Sequence, residues 1–227
     1  MTGLRGTGRL LVATFLNSRL AWWRWSPNRF QPYNHTLPDR YPWLFCFTRE
    51  MLGDGPERHI LSFGCSTGAE VFSLRRYFPA AQLMGMDVDP LNIARCRARA
   101  RRQDASGINF ATASTTETER TGTYDAIFCL SVLCHGDLTT SGVEHCDGFL
   151  RFEMFERMVT DFARCLKPRG LLLLLNTNFR FGDTAIAKDF DVVLRADSGQ
   201  LGPDVLFDRN NALMKGVRYY DVAFCKH

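Results

Sequence analysis

From Arg58 onward the chain alternates short apolar runs with helix-length stretches, and that alternation constrains its fold more than any other feature. Strand, helix, strand order of this kind builds a mainly parallel sheet covered by helices. His59-Ile60-Leu61-Ser62-Phe63 reads as the first strand, followed by a helix over 69–77 that Pro79 stops. Residues 81–86 form a second strand ending at Asp87. Asp89 is placed to cap the next helix, with Pro90 at its first position and arginines running through Arg102. Residues 108–110 are a weaker third strand and 124–130 a clear fourth. After a long polar loop, a helix over 150–166 ends at Lys167-Pro168-Arg169-Gly170. Residues 171–175 are all leucine, as suits a strand covered on both faces. The runs 190–194 and 219–224 pair as a terminal antiparallel hairpin. The expected class is α/β, Rossmann-like, with an N-terminal helical extension.

The extension differs in composition from the rest. All four Trp and five of the nine Pro fall within residues 1–56, and so many large aromatics need a surface to pack on. Residues 10–23 carry an apolar face over about half a helical wheel, interrupted by Arg19. The first 38 residues hold five Arg and no acid, which superficially resembles a transit peptide; a docking helix is the preferred reading. We therefore divide the chain into a helical cap or lid over 1–56 and a sheet domain over 57–227, a size that suits one core with a small appendage.

Charge and cysteines narrow the function classes. The net charge of +4 arises entirely before residue 59, where eight Arg face four acids; the remainder is balanced. That is too little positive charge for a nucleic-acid binder. No apolar run approaches the ~18–20 residues of a bilayer span. Eight cysteines without a CxxC spacing read as reduced, buried thiols, and a cytoplasmic location follows. Cys134-His135 and His145-Cys146-Asp147 do not match a zinc spacing, so no metal is expected.

The strongest local signal is Gly64-Cys65-Ser66-Thr67-Gly68-Ala69-Glu70, between the first strand and its helix. Its glycines permit a tight turn and close backbone approach, and the helix start offers free N–H groups. No GK[ST] follows, the G-x-G-x-x-G spacing is missing, and the turn carries no basic residue to meet phosphates. Asp87, at the end of the second strand, is placed to accept hydrogen bonds from ribose hydroxyls. A ribose-containing, phosphate-free ligand fits this pair better than NAD.

With these residues the chain resembles the class I S-adenosylmethionine-dependent methyltransferases over about residues 58–227. The turn is closest to that of the chemotaxis receptor glutamate O-methyltransferases. The resemblance implies S-adenosyl-L-methionine as cofactor, S-adenosyl-L-homocysteine as product, and a methyltransferase activity. It places the methionine part on Gly64, Cys65, Ser66, Thr67 and Gly68, and the ribose on Asp87 with Val88 beside it. Ser114 and Thr115, where many relatives have an acid, border the adenine. Leu130, Ser131 and Val132 line the floor under the sulfonium. Ser62 stands where the usual motif has an acid, and Glu70 supplies the negative charge instead. The receptor enzymes carry an inserted β subdomain for which this chain has no room, which favours a small-molecule acceptor and O- or N-methylation. The alternatives are a protein carboxyl O-methyltransferase and a cofactor-binding, non-catalytic regulatory partner.

Methyl transfer from a sulfonium is an in-line displacement, and a base is needed only if the nucleophile must lose a proton. His135, just past the fourth strand, is the best-placed candidate base. Asn176, Asn178 and Arg180, after the fifth strand, are candidate contacts for a polar or carboxylated acceptor, as are Tyr33, His35 and Tyr41.

Overall fold

The computed structural model describes residues 30, 33–201 and 205–227; the amphipathic stretch at 10–23, with Trp22, Trp23 and Trp25, lies outside them. Helix α1 (Pro42–Leu52) precedes β1 (His59–Phe63), α2 (Ala69–Tyr77), β2 (Gln82–Asp87), α3 (Pro90–Arg102), β3 (Ile108–Thr112) and β4 (Tyr124–Leu130). A single helical turn, α4 (Leu138–Ser141), interrupts the polar loop before α5 (Phe152–Cys165), β5 (Leu166–Leu175), β6 (Phe190–Arg195) and β7 (Asp221–Lys226).

The seven strands form one sheet in the order β3-β2-β1-β4-β5-β7-β6. The first five run parallel, and β7 is antiparallel to both β5 and β6. The two C-terminal runs thus pair as expected, but β7 enters between β5 and β6, so the long segment 196–220 joins them rather than a tight turn. Strand order reverses between β1 and β4, and ligands of open α/β sheets bind at the carboxyl ends of the strands beside such a switch point.

Every residue of β4 is buried, because helices cover both faces there. On one face Phe152, Phe155, Met158, Val159, Phe162 and Ala163 of α5 pack at helical spacing against Leu61, Ile127 and Leu172. On the other, α1, α2 and α3 bury Leu44, Phe45, Val71, Leu74, Ile93 and Cys96 over Ile60, Ala126 and Phe128. Phe45 meets Phe128 edge-on at 5.6 Å and Tyr77 at 5.4 Å, which fixes α1 against the sheet.

The α5–β5 junction and the end of β3 differ from the sequence reading, as does the burial of two cysteines. Lys167-Pro168-Arg169-Gly170, expected to end a helix, opens β5 instead, since α5 stops at Cys165. The reason is a charge pairing: Lys167 Nζ binds the buried carboxylate of Asp125 at 2.6 Å, as do Arg58 at 3.0 Å and the His59 N–H at 2.9 Å. Strand β3 extends two residues past Phe110 by pairing with Met86 and Asp87. Six of the eight cysteines are buried, but Cys46 is exposed and Cys134 partly so. At α3 the expected cap is present, with Asp89 Oδ1 accepting the Leu91 N–H at 2.7 Å.

Candidate functional site

The glycine turn is held to the end of β2: the N–H groups of Gly64 and Cys65 both donate to the Met86 carbonyl, at 2.8 and 2.9 Å. Gly64 sits at φ +75°, and a Cβ there would lie 2.4 Å from Val132 Cγ2. Only glycine lets the turn and the residue after β4 approach this closely. Ser66, also left-handed at φ +52°, points its N–H at Asp87 Oδ2, 2.8 Å away. Asp87 Oδ1 accepts from the Asp89 N–H at 2.8 Å and Asn92 Nδ2 at 3.2 Å. Burial pushes the Asp87 carboxyl above the usual carboxylate range, opposed by those three bonds.

One cavity gathers most of the expected cofactor residues. Gly64, Cys65, Ser66, Glu70, Asp87, Val88, Ser114, Leu130, Ser131 and Val132 line it; Thr67, Gly68 and Thr115 do not. Gly68 instead forms the left-handed start of α2, at φ +86°. Much of the remaining wall is the strap 33–41, from which Asn34, Arg40 and Tyr41 line the cavity, with Phe30, Phe45, Phe63 and Ala113 completing it. Asn34 Nδ2 donates to Asn92 Oδ1 at 3.1 Å, and its Oδ1 accepts from the Ser66 hydroxyl, so the strap reaches the Asp87 corner. Tyr33 donates to Asp137 across the mouth. The cavity measures about 110 Å³, below the ~300–1,000 Å³ of usual small-molecule pockets.

Glu70 reaches the position beside Ser62, whose hydroxyl donates to Oε1 at 2.8 Å. Burial pushes this carboxyl up to about 7, against the opposing effects of Ser62 and Arg40. A carboxyl raised in the folded state keeps a proton that the unfolded chain has already lost, so stability falls as pH rises from about 4.5 to 7. The full loss is on the order of 3 kcal/mol. Glu70→Gln, without ligand, should therefore exceed the parent by ~2–3 kcal/mol at pH 8 and match it near pH 4 in urea unfolding. A difference that does not change with pH would refute this.

A second cavity, of about 290 Å³, opens past the ends of β4 and β5 and shares Arg40 and Ser131 with the first. His135 and Asn176 line it. The His135 N–H donates to Asn178 Oδ1 at 2.8 Å, and its Nδ1 accepts the Asp137 N–H at 3.3 Å. Burial holds the imidazole below its usual pKa, against the opposing charge of Asp137, which favours the neutral form. With Nδ1 accepting, the ring proton belongs on Nε2, and the side chain presents a donor rather than a lone pair.

The other acceptor candidates separate. Asn178 lines the second cavity too, but it is buried, with its amide engaged by the His135 N–H and the Val205 carbonyl. Arg180 is paired twice with Asp183 at 2.8 Å and lines neither cavity, which corrects its expected role. His35 lines the first cavity. Sequence reasoning missed Asn34, Asn92 and Arg40, which belong to no motif. Among the described residues no three His, Cys, Asp or Glu side chains come together as a metal site would require, and no helix is long and apolar enough to cross a membrane.

Residues 61–172, just under half of the chain, match a family model described as a methyltransferase domain. No curated protein matches the sequence. Among solved structures, similarity is found to the cyclase SpnF (22% identity, 58% of this chain and 43% of that one, TM-score 0.45). The geranyl diphosphate C-methyltransferase of Streptomyces coelicolor A3(2) is similar at 16% identity, over 59% and 45%, with TM-score 0.44. Phosphoethanolamine N-methyltransferase 2 of Haemonchus contortus is similar at 15%, over 62% and 29%, with TM-score 0.47. The chain spans less than half the length of each of these structures.

Proposed function

We propose that this protein is a class I methyltransferase that uses S-adenosyl-L-methionine to methylate a small-molecule acceptor. The observation that carries the reading is the pair of carboxylates in one cavity at the switch point. Asp87 ends β2 beneath a glycine turn, with Glu70 across from it. Asp87 Oδ2 accepts a single bond and keeps acceptor capacity for a ribose hydroxyl. Glu70 offers a buried carboxylate to a cationic ligand, and such a ligand would draw its proton off. A pyrophosphate has no cation in the turn to meet it. The match of 61–172 to the methyltransferase-domain family supports the same reading.

In this assignment Gly64, Cys65, Ser66 and Glu70 hold the amino-acid end of the cofactor, with Thr67 and Gly68 shaping the turn. Asp87 and Val88 hold the ribose, Ser114 and Thr115 border the adenine, and Leu130, Ser131 and Val132 form the floor. When bound, the cofactor supplies an electrophilic methyl group. The chain's own contribution is to orient it toward the second cavity and to exclude water. Residues 1–56 act as the lid of this site, their strap closing after ligand entry, and 57–227 form the catalytic domain. His135 acts as a hydrogen-bond donor beside the acceptor.

Calorimetry tests the assignment: S-adenosylmethionine and S-adenosylhomocysteine should bind with dissociation constants of about 1–100 μM, −8 to −5 kcal/mol. Binding of NAD with no response to either ligand would overturn it.

A further inference from the structure

The two cavities meet at a small polar cluster that the fold maintains at some cost. Ser131 and Asn176 directly follow the adjacent strands β4 and β5, and both adopt the left-handed backbone, at φ +58° and +53°. Such conformations in non-glycine residues cost free energy and concentrate at functional sites. Their side chains join there: Asn176 Nδ2 donates to Ser131 Oγ at 2.8 Å and to Tyr41 Oη at 3.0 Å, and the two hydroxyls lie 3.0 Å apart. The Arg40 guanidinium lies 5.1 Å from the Tyr41 ring centroid and lines both cavities. Among the described residues it forms no direct ion pair, though its charge acts on the Glu70 carboxyl that lines the first cavity with it.

We infer that the acceptor is a small carboxylic acid with an apolar body. Its carboxylate sits at this junction on Arg40, Tyr41, Ser131 and Asn176, and the product is its methyl ester. This rests on the methyltransferase reading above. The junction offers the Arg40 cation and the one hydroxyl proton that the cluster's own bonds leave over, and an acceptor-only group satisfies both. Leu174, Leu206 and Val222 give the second cavity an apolar part of its wall, beside Thr139, Thr177, Tyr219 and Asp221. The carboxylate of that cavity, Asp221, is already held by Arg195 at 2.7 Å and does not cancel Arg40. No side chain at the junction stands ready to take a proton, since Nδ1 of His135 is engaged. An alcohol or a protonated amine must shed one to react, whereas a carboxylate is ionised at neutral pH. One carboxylate oxygen forms the new C–O bond as the methyl C–S bond breaks. The electron pair goes to sulfur, the sulfonium becomes a neutral thioether, and no proton moves.

The test titrates hexanoate, benzoate, hexylamine and benzyl alcohol into the full chain saturated with S-adenosylhomocysteine, following heat. Both acids should bind at least about tenfold more tightly than the amine and alcohol. Arg40→Gln should remove that preference and Arg40→Lys restore part of it. With S-adenosylmethionine, mass spectrometry should find the methyl esters. Failure of S-adenosylhomocysteine to bind would sink the methyltransferase reading itself. Its binding without any preference for the acids, whether the panel binds equally or not at all, would overturn the carboxylate inference alone.

Discussion

Asp87→Asn lowers the affinity for S-adenosylmethionine by at least about tenfold, because it removes charge-assisted hydrogen bonds worth ~1.5–3 kcal/mol each. The substitution keeps the shape of the side chain but not its acceptors. In the ligand-free protein one carboxylate oxygen receives the Ser66 N–H and the other the Asp89 N–H and Asn92 Nδ2. An amide turns one of those oxygens into a donor facing a donor. A stability loss of ~1–3 kcal/mol therefore accompanies the affinity loss. Part of that loss is offset, because the buried carboxylate is itself disfavoured by desolvation. Calorimetry for affinity and thermal unfolding for stability read the two effects separately. Undiminished affinity in a destabilised protein would show that Asp87 only braces the turn and does not meet the ribose.

Gly64→Ala is expected to be among the most damaging single methyl additions in the chain. The left-handed backbone costs a non-glycine residue ~1–2 kcal/mol. The added carbon would also stand 2.4 Å from Val132 Cγ2, in the packed contact between the turn and the end of β4. Overpacking of that kind adds ~1–3 kcal/mol. Gly122 supplies the comparison: it has a similar φ of +64° but nothing within 4 Å of its would-be Cβ. Gly122→Ala should therefore show the backbone cost alone. Val132→Ala placed on top of Gly64→Ala should recover part of the difference in urea unfolding. Equal losses for Gly64→Ala and Gly122→Ala would mean that the turn and β4 are not in tight contact. Cofactor affinity should fall with Gly64→Ala and stay unchanged with Gly122→Ala.

Much of the scaffold was legible because its signals are local. Apolar runs at 59–63 and 124–130, the Asp89-Pro90 start of α3 and the spacing of α5 each fold for reasons contained within a dozen residues. The glycine turn and Asp87 were legible for the same reason, since a short strand, turn, helix, strand unit brings them together. The Lys167-Pro168-Arg169-Gly170 element shows the limit. Its proline and glycine signal a break, but Asp125, from a different strand, draws Lys167 into the sheet.

The sequence by itself determined a mainly parallel α/β sheet, together with the glycine turn and the carboxylates beside it. The tertiary structure alone decided what faces them. Tyr41, Ser131 and Asn176 are 90 and 45 residues apart in turn, yet their side chains share hydrogen bonds. Asn34 meets Ser66 across 32 residues. No periodicity or motif connects such positions, because polar side-chain contacts depend on where separate strand ends and a crossing strap come to rest. Hydrophobic patterning is non-directional and tolerates small displacements, so it can be read along the chain. Hydrogen bonds hold only within a few tenths of an ångström and at the right angle, and that geometry exists only once the core has packed.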